Sequence, residues 1–278
     1  MRRPLRTLRL GVVGIVILVW TILPIYHMAL WSVMPPTAAF AGKLWPDQPS
    51  LENYRTLLTQ DHPFVANFWT QLGNSVFVAV ITVTLVLFVA SLASFAIGRL
   101  RIRGSQIVSN MALLTYLIPS AFLAIPLYRV MGDYGLLESR WSVILSMVTF
   151  AAPYAIWVLR QYGESVPIEL DEAARVDGAT PVQLFWYIFL PLIAPALVAI
   201  GAYAFFLSWN EYLFAFLFLA KDENLTIPVV LGHILTSDDA PWTLLMATAI
   251  LYSIPPVVLY YAFRKHMVAG LVSGGVKG

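Results

Sequence analysis

Among side chains able to do chemistry, the sequence offers one isolated acid and one polar loop. Glu211 stands beside Asn210 in the apolar run Ser208-Trp209-Asn210-Glu211-Tyr212-Leu213-Phe214-Ala215. An ionisable group at membrane depth costs at least about 2.5 kcal/mol on insertion scales, so Glu211 is expected to face a polar cavity or a partner. With Asn210, Trp209 and Tyr212 it can line a path for a hydroxyl-rich solute, and it can equally hold helices together through a buried hydrogen bond. An intramembrane hydrolase or transferase using Glu211 as a base would need a second acid, a metal cluster or a nucleophile elbow, and the sequence supplies none. His27, His62, His233 and His266 are scattered without ligand spacing, so no metal site is expected. Zero cysteines in 278 residues exclude disulfides and thiolate chemistry. Lys43, Lys221, Lys265 and Lys277 all lie outside any G-x-x-x-x-G-K-[ST] context, so the chain cannot cradle nucleotide in a P-loop. It is expected to bind no cofactor of its own, and energy for any work must come from another subunit.

The polar loop runs from Glu172 to Pro191. Pro167 suits a first helical position, and Glu169, Asp171 and Glu172 favour the positive end of the helix that follows. That helix is expected to reach about Val176, where Asp177-Gly178 supplies the glycine that ends helices in the left-handed conformation. Thr180-Pro181-Val182-Gln183 then reads as a capping box opening a second helix. Leu170, Ala173, Ala174 and Asp177 fall at i, i+3, i+4 and i+7 and share a face. Its two alanines leave room for close approach by another protein, with Glu172 and Arg175 able to ion-pair at the edges. As bare physics this is either an interfacial amphipathic helix or a docking knob.

The elements that must position these residues are helices in lipid. The composition is 59% hydrophobic and 12% charged, with a mean hydropathy of +0.76, far more apolar surface than one soluble core hides. A net charge of +2 gives no sign of a nucleic-acid partner. Six stretches approach the roughly 20 apolar residues a spanning helix needs. They are about 10–33, 72–98, 106–130, 141–160, 192–219 and 243–263. Pro119 and Pro126 are expected to kink the third rather than end it. Arg2, Arg3, Arg6, Arg9, Arg99, Arg101, Arg103, Arg160, Arg175, Arg264, Lys265 and Lys277 are 12 of the 17 basic residues, and all fall at the termini or in even-numbered turns. The positive-inside rule then puts both termini and the E-A-A loop in the cytoplasm. Ala39-Phe40-Ala41 imitates a signal cleavage site, but the preceding apolar run is about twice a normal signal core, so an anchored first helix is expected.

On the outer side, residues 34–71 read as an irregular cap with one short helix from Leu51 to Leu58. The loop from Lys221 to Trp242 has an apolar centre, Ile227 to Ile234, which needs a covering surface. That surface is either the bundle itself or a partner protein. The sequence reads as one transmembrane domain, with the E-A-A loop at 161–191 and a tail at 264–278.

The residues Glu172-Ala173-Ala174, Gly178, Ile188, Leu190 and Pro191 match E-A-A-x-x-x-G-x(9)-I-x-L-P throughout. The chain thereby resembles the permeases of ABC importers. Trp209-Asn210-Glu211-Tyr212-Leu213-Phe214-Ala215 resembles the W-N-E-[FY]-L-F-A signature of their sugar branch. The tail Gly270 to Gly278 is similar to that of the maltose-type (MalG-like) permeases, and the overall likeness extends to SugB-type permeases of mycobacterial trehalose importers. The resemblance implies an all-α membrane protein with six transmembrane helices and the type I ABC importer permease fold. It implies that Glu172, Ala173, Ala174, Arg175, Asp177 and Gly178 form a coupling helix seated in a cytoplasmic ATPase, and that Gly274, Gly275 and Lys277 reach between two ATPase domains. It also implies that Ile227, Pro228, Gly232 and His233 belong to the loop that enters the cleft of an extracellular sugar-binding protein. The implied partners are a second permease, an ATPase dimer that holds ATP and Mg, the sugar-binding protein and the bilayer. The implied cargo is a disaccharide, trehalose first and maltose second. In the maltose system the sugar rests mainly on the other permease subunit, which argues against direct contact by this chain.

Overall fold

The computed structural model describes residues 2–275 other than 39, 41, 101–103, 105–106, 108–109, 112–113 and 116, with backbone alone at 2–9 and 265–275. Among the described residues every regular element is helical. They divide into two compact units, Met1–Phe68 with Val230–Ile254, and Trp69–Val229 with Pro255–Gly278.

The first unit opens with helix α1, Arg2–Ser32. Its stretch Leu10–Ser32 is long and apolar enough to span a bilayer, and the side chains from Leu10 to Tyr26 are exposed. A helix that is apolar all round and uncovered by its own chain takes its surroundings from lipid or another subunit. Beyond it, helix α2, Glu52–Thr59, is pinned by Asn53. The buried Asn53 amide donates to the carbonyls of Ser32 and Met34 at 2.9 Å each, and its Oδ1 accepts from Thr243 Oγ1 at 3.0 Å. One side chain thus ties α2 to the end of α1 and to Thr243, with both amide donors and one acceptor site of Asn53 in use.

The second unit holds helices α3, Phe68–Arg99 (entered from Trp69), α4, Ala124–Asp133, and α5, Arg140–Glu164. Next come α6, Ile168–Val176, and α7, Pro181–Leu184, which continues through a wide π turn, Phe185–Phe189, to Leu192. After Ile193 the chain resumes as α8, Ala194–Trp209, then α9, Leu213–Phe218. Helix α10, Ile227–Leu235, and helix α11, Trp242–Gly275, each belong partly to one unit and partly to the other. The core of the second unit is built from Val86, Ala90 and Phe95 of α3, Ala151, Ala155 and Leu159 of α5, and Ala196, Ile200 and Ala204 of α8. Alanines at these crossings let helices approach closely, the packing expected where lipid gives no hydrophobic drive between them.

Four helices are long and apolar enough to span, at Leu10–Ser32, Pro63–Arg99, Arg140–Glu164 and Trp242–Arg264. A fifth candidate is broken: Pro181–Leu192 and Ala194–Trp209 meet at 77°. The third expected span, 106–130, lies partly outside the described residues. At Pro119 the backbone is extended (φ −58°, ψ 128°), so the helical path is interrupted there rather than merely kinked, and Pro126 falls in the first turn of α4, where its missing N–H costs nothing.

The expected span 192–219 is not one helix either. Asn210 ends α8, its Nδ2 donating to the Phe206 carbonyl at 2.8 Å. Glu211 opens α9, its Oε1 accepting the Phe214 amide at 2.6 Å. The Asn-Glu pair thus closes one helix and starts the next, meeting backbone groups that a break would otherwise strand.

Candidate functional site

The E-A-A loop is built from capping elements. Pro167 is extended (φ −54°, ψ 131°), and α6 begins one residue later than expected, at Ile168. At its far end Gly178 adopts φ +86°, its amide donating to the Arg175 carbonyl at 3.0 Å, while the Ala179 amide reaches the Ala174 carbonyl at 2.9 Å. This is a Schellman closure, which needs a residue free to take positive φ. The capping box forms at once: Gln183 N donates to Thr180 Oγ1 at 3.3 Å and Thr180 N to Gln183 Oε1 at 2.8 Å. Helix, turn and helix are therefore locally determined.

The loop is held from beneath by a residue whose role the sequence did not disclose. Arg99, the last residue of α3, is buried with Asp171, at 5% and 3% side-chain exposure. One Arg99 nitrogen donates to the carbonyls of Gly163 and Val166 at 2.9 Å each, the other lies 3.5 Å from Asp171 Oδ2, and the guanidinium sits 5.9 Å from the Phe189 ring centre. One side chain thus joins the end of α3, the end of α5, helix α6 and the π turn. A Cβ placed on Gly163 would come within 3.0 Å of the Phe189 ring, so glycine permits this close approach. Nearby, Arg160 Nη2 bonds Glu164 Oε1 at 2.8 Å, and both arginines border a polar cavity of about 370 Å³ beside Pro167.

With Asp171 turned inward, the opposite side of α6 is bare. Glu172, Ala173, Arg175, Asp177 and Gly178 are exposed, as are Leu170 and, at 88%, Val176. Ala174 is half-buried against the core, so the expected face is divided, Ala173 facing out and Ala174 in. Exposed apolar side chains continue beyond the turn with Val182, Trp186 and Tyr187.

The remaining expected residues fall elsewhere. Trp209 is buried and stacked on Phe205 at 5.2 Å, Asn210 is exposed, Glu211 caps α9, and Tyr212 is exposed and stacked on Phe216 at 5.5 Å. The apolar patch after Lys221 is helix α10, with Ile227, Val229, Val230 and Ile234 buried, while Pro228, Gly232 and His233 are half-buried. Gly274 and Gly275 are described as backbone only, and Lys277 lies outside the described residues. Among the described residues no group of three His, Asp or Glu side chains comes together as a metal site.

The segment before α10 rests on a second network absent from the sequence reading. Asn74 Nδ2 donates to the carbonyls of Glu223 and Leu225 at 2.8 and 2.9 Å, and Asn74 Oδ1 accepts from Arg140 at 3.0 Å. Ser75 Oγ accepts the Ile227 amide, and the Glu138 carboxylate accepts the amides of Ala220 and Lys221. Burial alone would raise the Glu138 pKa. The two amides, Asn224 and the Lys221 charge outweigh it and hold the carboxyl below its ordinary value of 4.5.

Long apolar helices packed through alanine mark a membrane protein. Residues 90–272 match the family described as binding-protein-dependent transport system inner membrane component, and the chain belongs to it. It is 33% identical to the trehalose transport system permease protein SugB of Mycobacterium tuberculosis, over 93% of each chain. It is 30% identical to the arabinooligosaccharides transport system permease protein AraQ of Halalkalibacterium halodurans, over 92% of this chain and 91% of that one. A bacterial ABC transporter involved in the import of the acidic polysaccharide alginate contains a chain with the same fold, at TM-score 0.79 and 26% identity, covering 95% of this chain and 96% of that one. These relatives place the protein among the sugar ABC importer permeases, integral components of the inner membrane.

Proposed function

We propose that this chain is one of two permease subunits that an ATPase dimer drives through alternating access, moving a disaccharide inward. Both termini and the E-A-A loop lie in the cytoplasm and the chain crosses the membrane six times, as the distribution of its arginines favours. The observation that carries this reading is α6: closed at its C-terminus by the Gly178 turn, anchored through Asp171, and bare on the side that carries Leu170, Ala173 and Val176. Glu172, Ala173, Ala174, Arg175, Asp177 and Gly178 form the knob received by the ATPase, and the tail with Gly274, Gly275 and Lys277 lies between its two domains. ATP and Mg act there and not on this chain. The segment with Ile227, Pro228, Gly232 and His233 supports the surface that meets a sugar-binding protein, while Asn210, Glu211 and Tyr212 lie nearest the sugar path. Trehalose is the first candidate cargo, from the likeness to SugB, and maltose or another oligosaccharide the second, since AraQ and the alginate importer are named for longer saccharides.

Deleting Ala173–Gly178 tests the docking. The ATPase subunit is expected to stop co-purifying with the permease pair, and stoichiometric ATPase on the deleted permease would overturn the proposal. Calorimetry of the cognate sugar-binding protein against trehalose and maltose decides the cargo.

A further inference from the structure

The geometry points to Arg99 and Asp171 as positioning residues: a buried strut that makes the coupling helix move as one rigid body with the ends of α3 and α5. This rests on the reading of α6 as the ATPase-coupling helix. Helix α6 spans only Ile168–Val176, too short to hold its orientation by its own propensity. Most of its surface is exposed, with Asp171 the buried residue within it. Its direction is therefore set by what Asp171 meets, together with the half-buried Ile168 and Ala174.

Among the described residues, Asp171 Oδ2 lies at ion-pair distance, 3.5 Å, from the Arg99 guanidinium without a hydrogen bond to it, and the same guanidinium donates to the Gly163 and Val166 carbonyls at 2.9 Å. Those carbonyls lie at the end of α5 and in the link just before Pro167. The planar fork of arginine serves several acceptors at fixed angles, which a lysine cannot reproduce. Phe189 lies against the same guanidinium and against the Gly163 backbone, so the π turn leading to α8 joins the same block. A displacement applied to α6 then has no soft joint on its way to three membrane helices. Coupling between distant sites needs such an element, one that keeps a discrete arrangement instead of yielding.

The absence of native cysteine lets spin labels be placed at will. Gln161→Cys on exposed α5 and Val176→Cys on exposed α6 report the distance across the strut by pulsed electron resonance. The assembled complex in lipid nanodiscs is measured nucleotide-free and with ATP in EDTA. A narrow distribution that is the same in both states is expected. In an Arg99→Met, Asp171→Leu double variant, which leaves no orphaned buried charge, the distribution is expected to broaden at least about twofold while the ATPase stays bound. Arg99→Lys with Asp171 intact is expected to broaden it to a lesser extent. A native distance that shifts with ATP overturns the strut, and so does a double variant as narrow as the native chain. If the native permease retains no ATPase, the docking reading fails, while the label distances still report whether the strut is rigid.

Discussion

The E-A-A loop and the segment from Ala220 to Ile227 are both connections tied to helix ends by polar side chains, yet they end with opposite surfaces. The Ala220–Ile227 segment is held by the neutral amide of Asn74, the Ser75 hydroxyl and the Glu138 carboxylate, and it leads into a helix whose Ile227, Val229 and Val230 are buried. The E-A-A loop is held by a charged pair and leaves Leu170, Val176, Val182 and Trp186 exposed. One connection consumes its apolar residues within the chain, and the other keeps them uncovered. The lesson is that buried polar anchoring and apolar burial are separable: a loop can be fixed firmly while its greasy side remains available to a second protein.

The contrast is tested most severely at Arg99. Arg99→Ala strands the buried Asp171 carboxylate and two carbonyls, and should destabilise the permease by about 3–5 kcal/mol, read from its thermal midpoint in detergent. Asn74→Leu removes a neutral side chain serving two carbonyls and Arg140, and should cost about 2 kcal/mol in the same assay. Equal losses for the two would erase the distinction between the buried ion at Arg99 and the neutral amide at Asn74. Gly178→Ala meets no neighbouring atom, so only backbone strain at φ +86° opposes it, and a loss of about 1 kcal/mol is expected.

Glu138 gives a smaller, pH-dependent effect. Its folded pKa lies below its ordinary value, so its contribution is complete above about pH 4.5 and is lost as pH falls through the folded value. Hydrogen exchange at the Ala220 and Lys221 amides should accelerate as the pH is lowered through that window, relative to the intrinsic rate, and the dependence should vanish in Glu138→Gln. Smallest of all for the fold is Val176→Ser, at most about 0.5 kcal/mol for an exposed site. Its effect belongs to the bare surface of the E-A-A loop, and weaker retention of the ATPase at unchanged thermal midpoint would separate surface from anchor.

What the sequence disclosed follows the range of the interactions involved. The Gly178 turn, the Thr180–Gln183 box and α6 itself were legible because each closes within a few residues. Long apolar helices were legible because lipid imposes length and composition together. The Arg99–Asp171 pair was not, since Arg99 looks like any arginine flanking a span and Asp171 like any acid in a first helical turn. Asn74, Ser75 and Glu138 were equally silent, because their partners are backbone groups, which carry no residue identity. The run 192–219 was misread for a related reason: hydropathy joined it into one helix, whereas local hydrogen bonds of Asn210 and Glu211 divide it.

The 77° corner at Ile193 gives the whole arrangement the geometry of a bell crank. With two arms set nearly at right angles, thrust along Pro181–Leu192 emerges as lateral swing of Ala194–Trp209, with almost no travel along its own axis. Under the proposed coupling, a push from the ATPase on the first arm would reach the second as a sideways swing.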